Sequence, residues 1–134
     1  MNLKLFLIFQ LYIYFLGNIN LSENAENKPK YHILKYKGLK IGIYNLLSKD
    51  YFKNSTSKID ELIYDSTSAI QDDIDELNKK CDYLIVILQG TDGFYQRYLE
   101  KLNNVDLYFT AINRRIYADI TEKGKKPYYV VSNG

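Results

Sequence analysis

The sequence predicts an α/β domain in which a mixed β-sheet of about five to six strands packs with two amphipathic helices. Three observations carry that expectation. Residues 83–88 read Tyr-Leu-Ile-Val-Ile-Leu between Asp82 and Gln89, and an unbroken apolar run of that kind is what a strand covered on both faces looks like. A second apolar run at residues 105–111 follows a stretch in which Phe94, Tyr98 and Leu102 recur every four residues, the spacing of one helix face. The chain has 134 residues, 46% of them apolar and 25% charged, which is the balance of one folded domain rather than of a disordered segment.

The amino terminus reads as a targeting segment. Lys4 supplies a positive charge and residues 5–16 are apolar except for Gln10, a run that matches a signal-peptide core and falls short of the ~20 residues that span a bilayer. Residues 1–20 are therefore expected to be a signal peptide or membrane anchor, and residues 21–30 a linker. Gly17 and the polar stretch after it read as the cleavage region. No cysteine follows directly on the apolar run, so a lipoprotein anchor has no acceptor. The expected location is exported: secreted, periplasmic or held at a membrane by this segment alone. The folded domain is then expected at residues 31–134.

Within that domain, residues 31–36 alternate as a strand, Lys37-Gly38-Leu39 makes a turn, and residues 40–47 form a second strand through Ile41, Ile43 and Leu46, giving a hairpin. Helical signals follow. Ser66 or Ser68 can cap, Gln71 stands three residues beyond Ser68 as in a capping box, and Ile70, Ile74 and Leu77 share one face. Asp72, Asp73, Asp75 and Glu76 are assigned to the opposite, solvated face. The strand at residues 83–88 comes next, then a helix over residues 94–102 and a strand over residues 105–109. Ile116, Ala118 and Ile120 alternate, and residues 127–132 offer a last strand.

Several function classes are excluded by count alone. The formal charge of +2 is too small for a nucleic-acid partner, which needs basic residues clustered on one face; the lysines around the hairpin read as protection of a sheet edge. Cys81 is the sole cysteine, so no intramolecular disulfide can form. His32 is the sole histidine, which rules out a multi-histidine metal site. A Ser-His-Asp triad would have to use His32, and no nucleophile elbow accompanies it. No residue is assigned a catalytic role.

The order Leu39-Lys40-Ile41-Gly42-Ile43, residues 77–88 as helix end and strand, Asn104-Val105-Asp106-Leu107, and Tyr129-Val130-Val131 resembles the later half of calcineurin-like metallophosphoesterase domains, and within them the 5′-nucleotidase group. The resemblance covers about 100 residues and implies half of a four-layer sandwich. In that family the first long strand ends in a Ser-His pair, and the Asp-Leu strand runs into Gly-Gly-His-x-His, whose histidines help hold two divalent metal ions. Here the corresponding positions are Gln89, Ile112 and Arg114. Isoleucine has no donor atom, a guanidinium is a permanent cation without a free lone pair, and a glutamine carbonyl is a weak ligand for the transition metals such centres prefer. The family's earlier Asp-x-His and Asn-His motifs have no counterpart. The resemblance thus implies inherited architecture with the metal chemistry removed, and neither a metal nor another cofactor is expected.

What remains as a candidate site is the strand-to-helix loop Gln89-Gly90-Thr91-Asp92, joined by Asn113 and Arg114 if the two loops converge. Its backbone N–H groups can hold an anion, although it is not a P-loop, because the spacing differs and lysine is absent. The expected function is a non-catalytic, exported, metallophosphoesterase-like domain that binds a ligand or a protein. The alternative is a hydrolase with residual nucleotidase or phosphoesterase activity whose metal ligands come from a partner chain. The expected partners are a nucleotide or phosphate at the loop, and a second copy or another chain over the apolar face that half a sandwich leaves open.

Overall fold

The computed structural model describes residues 17–20, 30–52, 59–90, 98, 101–110 and 128–131. Strand β1 (Tyr31–Tyr36) and strand β2 (Leu39–Leu47) pair antiparallel with Tyr36 opposite Leu39. Two residues connect them. Lys37 and Gly38 sit at φ of 49° and 86°, and a positive φ at both central positions is what a type I′ turn requires to match the twist of its strands. The expected hairpin is therefore present.

A short 3-10 turn (Lys49–Phe52) and helix α1 (Ile59–Leu62) lead to helix α2 (Thr67–Asn78). Ser66 is its N-cap and accepts from the Ala69 N–H at 3.5 Å, so the first of the two candidate serines starts the helix. Gln71 takes no part in a capping box. Its side-chain amide instead clamps Asn103, accepting from that backbone N–H at 2.9 Å and donating to its carbonyl at 3.2 Å.

Strand β3 (Tyr83–Gln89) runs parallel to β2 with Ile41 opposite Tyr83, strand β4 (Leu107–Thr110) parallel to β3, and strand β5 (Tyr128–Val131) parallel to β4. Among the described residues the result is one mixed five-stranded sheet in the order β1-β2-β3-β4-β5, an α/β architecture of the expected class. The strand expected around residues 116–120 lies outside the described residues. Of the second helix, the described part is its last turn, where the Leu102 N–H donates to the Tyr98 carbonyl at 2.9 Å.

Alternation along each strand divides the side chains between two faces. Tyr44, Leu46, Leu84, Val86, Leu88 and Tyr108 point to one, where Ile70, Ile74 and Leu77 of α2 meet them. Tyr98, Leu102 and Val105, from the connection between β3 and β4, close the same cluster. Both described crossovers therefore cover one face, as right-handed connections between strands laid down in one direction must. The helix-covered face holds most of the core.

Residues 17–20 also belong to the folded unit, ahead of the boundary expected at residue 31. Ile19 bridges Ile63, the Asn20 N–H donates to the Leu62 carbonyl at 2.8 Å, and the Tyr64 N–H donates to the Asn18 carbonyl at 3.0 Å. Gly17 and Asn18 are buried. Polarity made Gly17 and the residues after it read as a cleavage region, but the backbone groups of Asn18 and Asn20 are paired inside the fold.

Candidate functional site

The expected site lies at the carboxyl edge of the parallel strands. Gln89 ends β3 opposite Leu47, and Thr110 ends β4 opposite Leu88, so the segments that follow β3 and β4 leave the same edge of the sheet from neighbouring strands. Gln89 is half-buried and Gly90 buried. The Gln89 side chain donates through Nε2 to Asn45 Oδ1 at 2.9 Å, and its backbone carbonyl accepts from the Ser48 N–H at 2.8 Å. Ser48 in turn accepts on Oγ from the Asp50 N–H at 3.1 Å. Gln89 therefore serves the pairing of β2 with β3. Thr91, Asp92, Asn113 and Arg114 lie outside the described residues, as does Ile112.

A two-metal centre needs several deprotonated or neutral donors with free lone pairs around ions about 3.5–4 Å apart. Of the positions that the resemblance aligns with metal ligands, Gln89 is the one described; its amide nitrogen donates to Asn45 at 2.9 Å, which leaves a single neutral carbonyl oxygen as its possible ligand atom. Among the described residues, no three His, Cys, Asp or Glu side chains gather where they could share an ion.

Two constellations escaped the reading of the sequence. The first is Asn18, whose carboxamide accepts from the Leu47 N–H at 2.8 Å and donates to the Leu47 carbonyl at 2.8 Å and the Tyr64 carbonyl at 2.9 Å. The pairing of β1 with β2 stops at Tyr44, so this one side chain occupies the edge of β2 where a further strand residue would sit. Gly17 makes the approach feasible, because a Cβ there would stand 2.7 Å from the Tyr44 ring.

The second is a buried cluster around Asp73, which corrects the assignment of all four acidic residues to solvent. Asp73 is 9% exposed. Lys30 donates to its Oδ1 at 3.0 Å, while Tyr44 at 2.9 Å and Tyr64 donate to its Oδ2. The Gly17 carbonyl, 2.8 Å from the same Tyr64 hydroxyl, is an alternative acceptor for its single proton. The hydrogen bond to Asp73 raises Lys30 above its ordinary range, whereas burial is the first cause that pushes both the Tyr64 and the Tyr44 hydroxyl upward. A signal was present in the sequence. Asp73 stands three residues after Ile70 and next to Ile74, inside the helical stripe rather than opposite it. Both carboxylate oxygens of Asp73 are used within the cluster, which ties β2, α2, Gly17 and Lys30 together.

No protein-family model matches the chain, and no curated protein does. Solved structures do. A Thermus thermophilus sulfate thiohydrolase, SoxB, in complex with glycerol superposes with a TM-score of 0.67 at 13% identity, over 97% of this chain and 25% of that one. A Staphylococcus aureus protein described as a 5′-nucleotidase, in complex with α-ketoglutarate, gives 0.61 at 11% identity over 87% of this chain and 26% of its own. A Mycoplasma pneumoniae phosphatase gives 0.59 at 19% identity over 87% and 39%. The chain thus spans between a quarter and two-fifths of the length of these proteins. At such identities the likeness is one of fold, and it is the fold of part of a metallophosphoesterase-type domain.

Proposed function

We propose that this chain is a non-catalytic, exported domain on a metallophosphoesterase-like, 5′-nucleotidase-like frame, which binds a ligand or a protein instead of hydrolysing a phosphoester. The observation that carries this reading is Gln89. At the position where the resemblance puts a metal-binding histidine, the side chain is turned onto Asn45 at 2.9 Å and holds the sheet together. An anion such as phosphate or a nucleotide would be met by the loop from Gln89 to Asp92, with Asn113 and Arg114 adding donors and charge from the neighbouring strand's loop. Support for that convergence is the common edge from which the two segments depart.

The apolar run at residues 5–16 supports export. Since Gly17 and Asn18 are buried in the fold, a processed form that keeps this fold begins at or before Gly17. Amino-terminal sequencing of the mature protein checks this.

The purified chain is expected to show no turnover of p-nitrophenyl phosphate or AMP with Mn²⁺ present, and calorimetric binding of AMP or phosphate that weakens in Arg114→Ala. Cation-dependent turnover by the chain alone would overturn the non-catalytic reading. Turnover that appears only after a second protein is added would favour the alternative, a hydrolase completed by ligands from a partner chain. Absence of heat with a folded protein would remove the anion site and leave protein binding.

A further inference from the structure

We propose that the sheet face opposite α2 pairs with the same face of a second copy of this chain, giving a two-fold symmetric dimer whose core is two sheets packed face to face. Both described crossovers lie on the other side, so neither covers this face. Along β1 to β4 it presents Tyr36, Leu39, Ile41, Tyr83, Ile85 and Phe109 among its side chains, by the alternation and register of the strands. None of the positions on this face in those four strands carries a formal charge. Five large apolar side chains are exposed among the described residues, and four of them lie here: Tyr36 at 55%, Tyr83 at 53%, Leu39 at 45% and Phe109 at 37%. Ile87 and Asn45, toward the carboxyl edge, are buried, so the open part is the amino-terminal half of β2 and β3 and its continuation across β4.

The area decides between a chance patch and an interface. With roughly 200 Å² of surface per aromatic side chain, Tyr36, Tyr83 and Phe109 alone leave on the order of 300 Å² in water. Leu39 and the half-exposed aliphatic residues bring this to on the order of 600 Å², the upper end of what a monomer ordinarily exposes as one patch. Two such faces together bury on the order of 1,200 Å², the lower limit of a specific interface.

A second copy is favoured over a different partner by the chemistry of the face. The strand positions of this face give a charged partner nothing to recognise, and the cation beside them, Lys37, lies over the Tyr36 ring at the hairpin end; such a face meets its own image with few like charges opposed. Two twisted sheets meet with their strands within about 30° and with interdigitated side chains. The small net charge of +2 adds little repulsion between copies. The pairing is independent of whether the domain is catalytic.

Sedimentation velocity on the full chain, from roughly 1 to roughly 200 μM to bracket the affinity of an interface this size, tests it. A concentration-dependent species of twice the 15.8 kDa chain mass is expected. Tyr83→Lys and Phe109→Lys should each raise the dimer dissociation constant at least about tenfold, as charges buried at an interface do. Leu62→Lys, at an exposed apolar position on α1, should leave it unchanged. Hydrogen exchange on the unmodified protein removes any dependence on how the variants fold: protection at residues 83–85 and 107–109 should grow with concentration. A monomer at every concentration overturns the proposal. Dimers insensitive to both lysine substitutions overturn it too.

Discussion

A buried carboxamide destabilises a fold by several kcal/mol unless each of its polar atoms finds a partner, and Asn18 finds three. It satisfies both backbone groups of Leu47 and the carbonyl of Tyr64. Asn18→Ala leaves these groups buried without their partner, at a cost of about 2–4 kcal/mol given ~1–3 kcal/mol for each group left unmet. Urea unfolding should show the midpoint falling with the slope unchanged; a loss below about 0.5 kcal/mol, the level of an ordinary surface substitution, would sink the role assigned to this side chain. Nothing local announces it. Its partners lie 29 and 46 residues away, so a single asparagine between an apolar run and a polar stretch reads as loop. Asp73 was legible, since helical spacing alone puts it beside Ile70 and Ile74, but four acidic residues in five positions drew all of them to the solvated face. At the expected site, the resemblance aligned Gln89 with a histidine of the family; that its amide nitrogen bonds Asn45 depends on strand register, which no local pattern discloses.

The elements were read more securely than their ends. Residues 83–88 became β3 because an apolar run of that length has one economical place in a mixed sheet, and the hairpin followed from a two-residue turn ending in glycine. What no reading of apolar pattern supplied is how neighbouring strands are held in register. Asp82 and Asp106 each precede a parallel strand by one residue and perform the same clamp. The Asp82 N–H donates to the Lys40 carbonyl while its Oδ2 accepts from the Lys40 N–H, both at 2.8 Å. The Asp106 N–H donates to the Leu84 carbonyl at 3.0 Å while its Oδ2 accepts from the Leu84 N–H at 2.8 Å. The side chain thereby closes the ladder at the amino edge, where a parallel pair would leave an N–H unmet. Asp106→Ala should destabilise by about 1–2 kcal/mol, the range for a hydrogen bond to a charged acceptor. Asp106→Asn keeps an acceptor and should recover most of it. The more exposed Asp82 clamp should be worth less, since water replaces its oxygen. Thermal unfolding of the three variants checks the order, and an Asp106→Ala protein as stable as the parent would show that the clamp only accompanies the register.

For the whole molecule, the class of fold was legible and the division of its two faces was not. Alternation shows that a strand has an apolar side; only the sheet order shows that the crossovers gather over one of them. The same gathering encloses Asp73 and Tyr44, with Tyr64 half-buried and Lys30 at the rim beside them, and so couples global stability to alkaline pH. The ordinary values are 10.5 for Lys30 and 10.0 for both tyrosines, and all three are raised in the folded chain. Above about pH 10, near the ordinary tyrosine value, the unfolded chain sheds protons that the folded chain retains. Stability falls with pH wherever the unfolded state binds fewer protons. The contribution of this cluster is thus fully present below the unfolded values and is lost as pH climbs through the raised folded ones. Lys30 is half exposed and screened by solvent, so the tyrosines, Tyr44 foremost, should dominate the slope. The unfolding midpoint in urea should stay level from neutral pH to about 9.5 and decline beyond about 10, with a shallower decline in Tyr44→Phe, whose ring cannot titrate. A midpoint that stays level to pH ~11 in the parent, or a decline that Tyr44→Phe leaves equally steep, would mean that the cluster opens to solvent before it titrates and does not fasten Gly17 and Lys30 to the sheet.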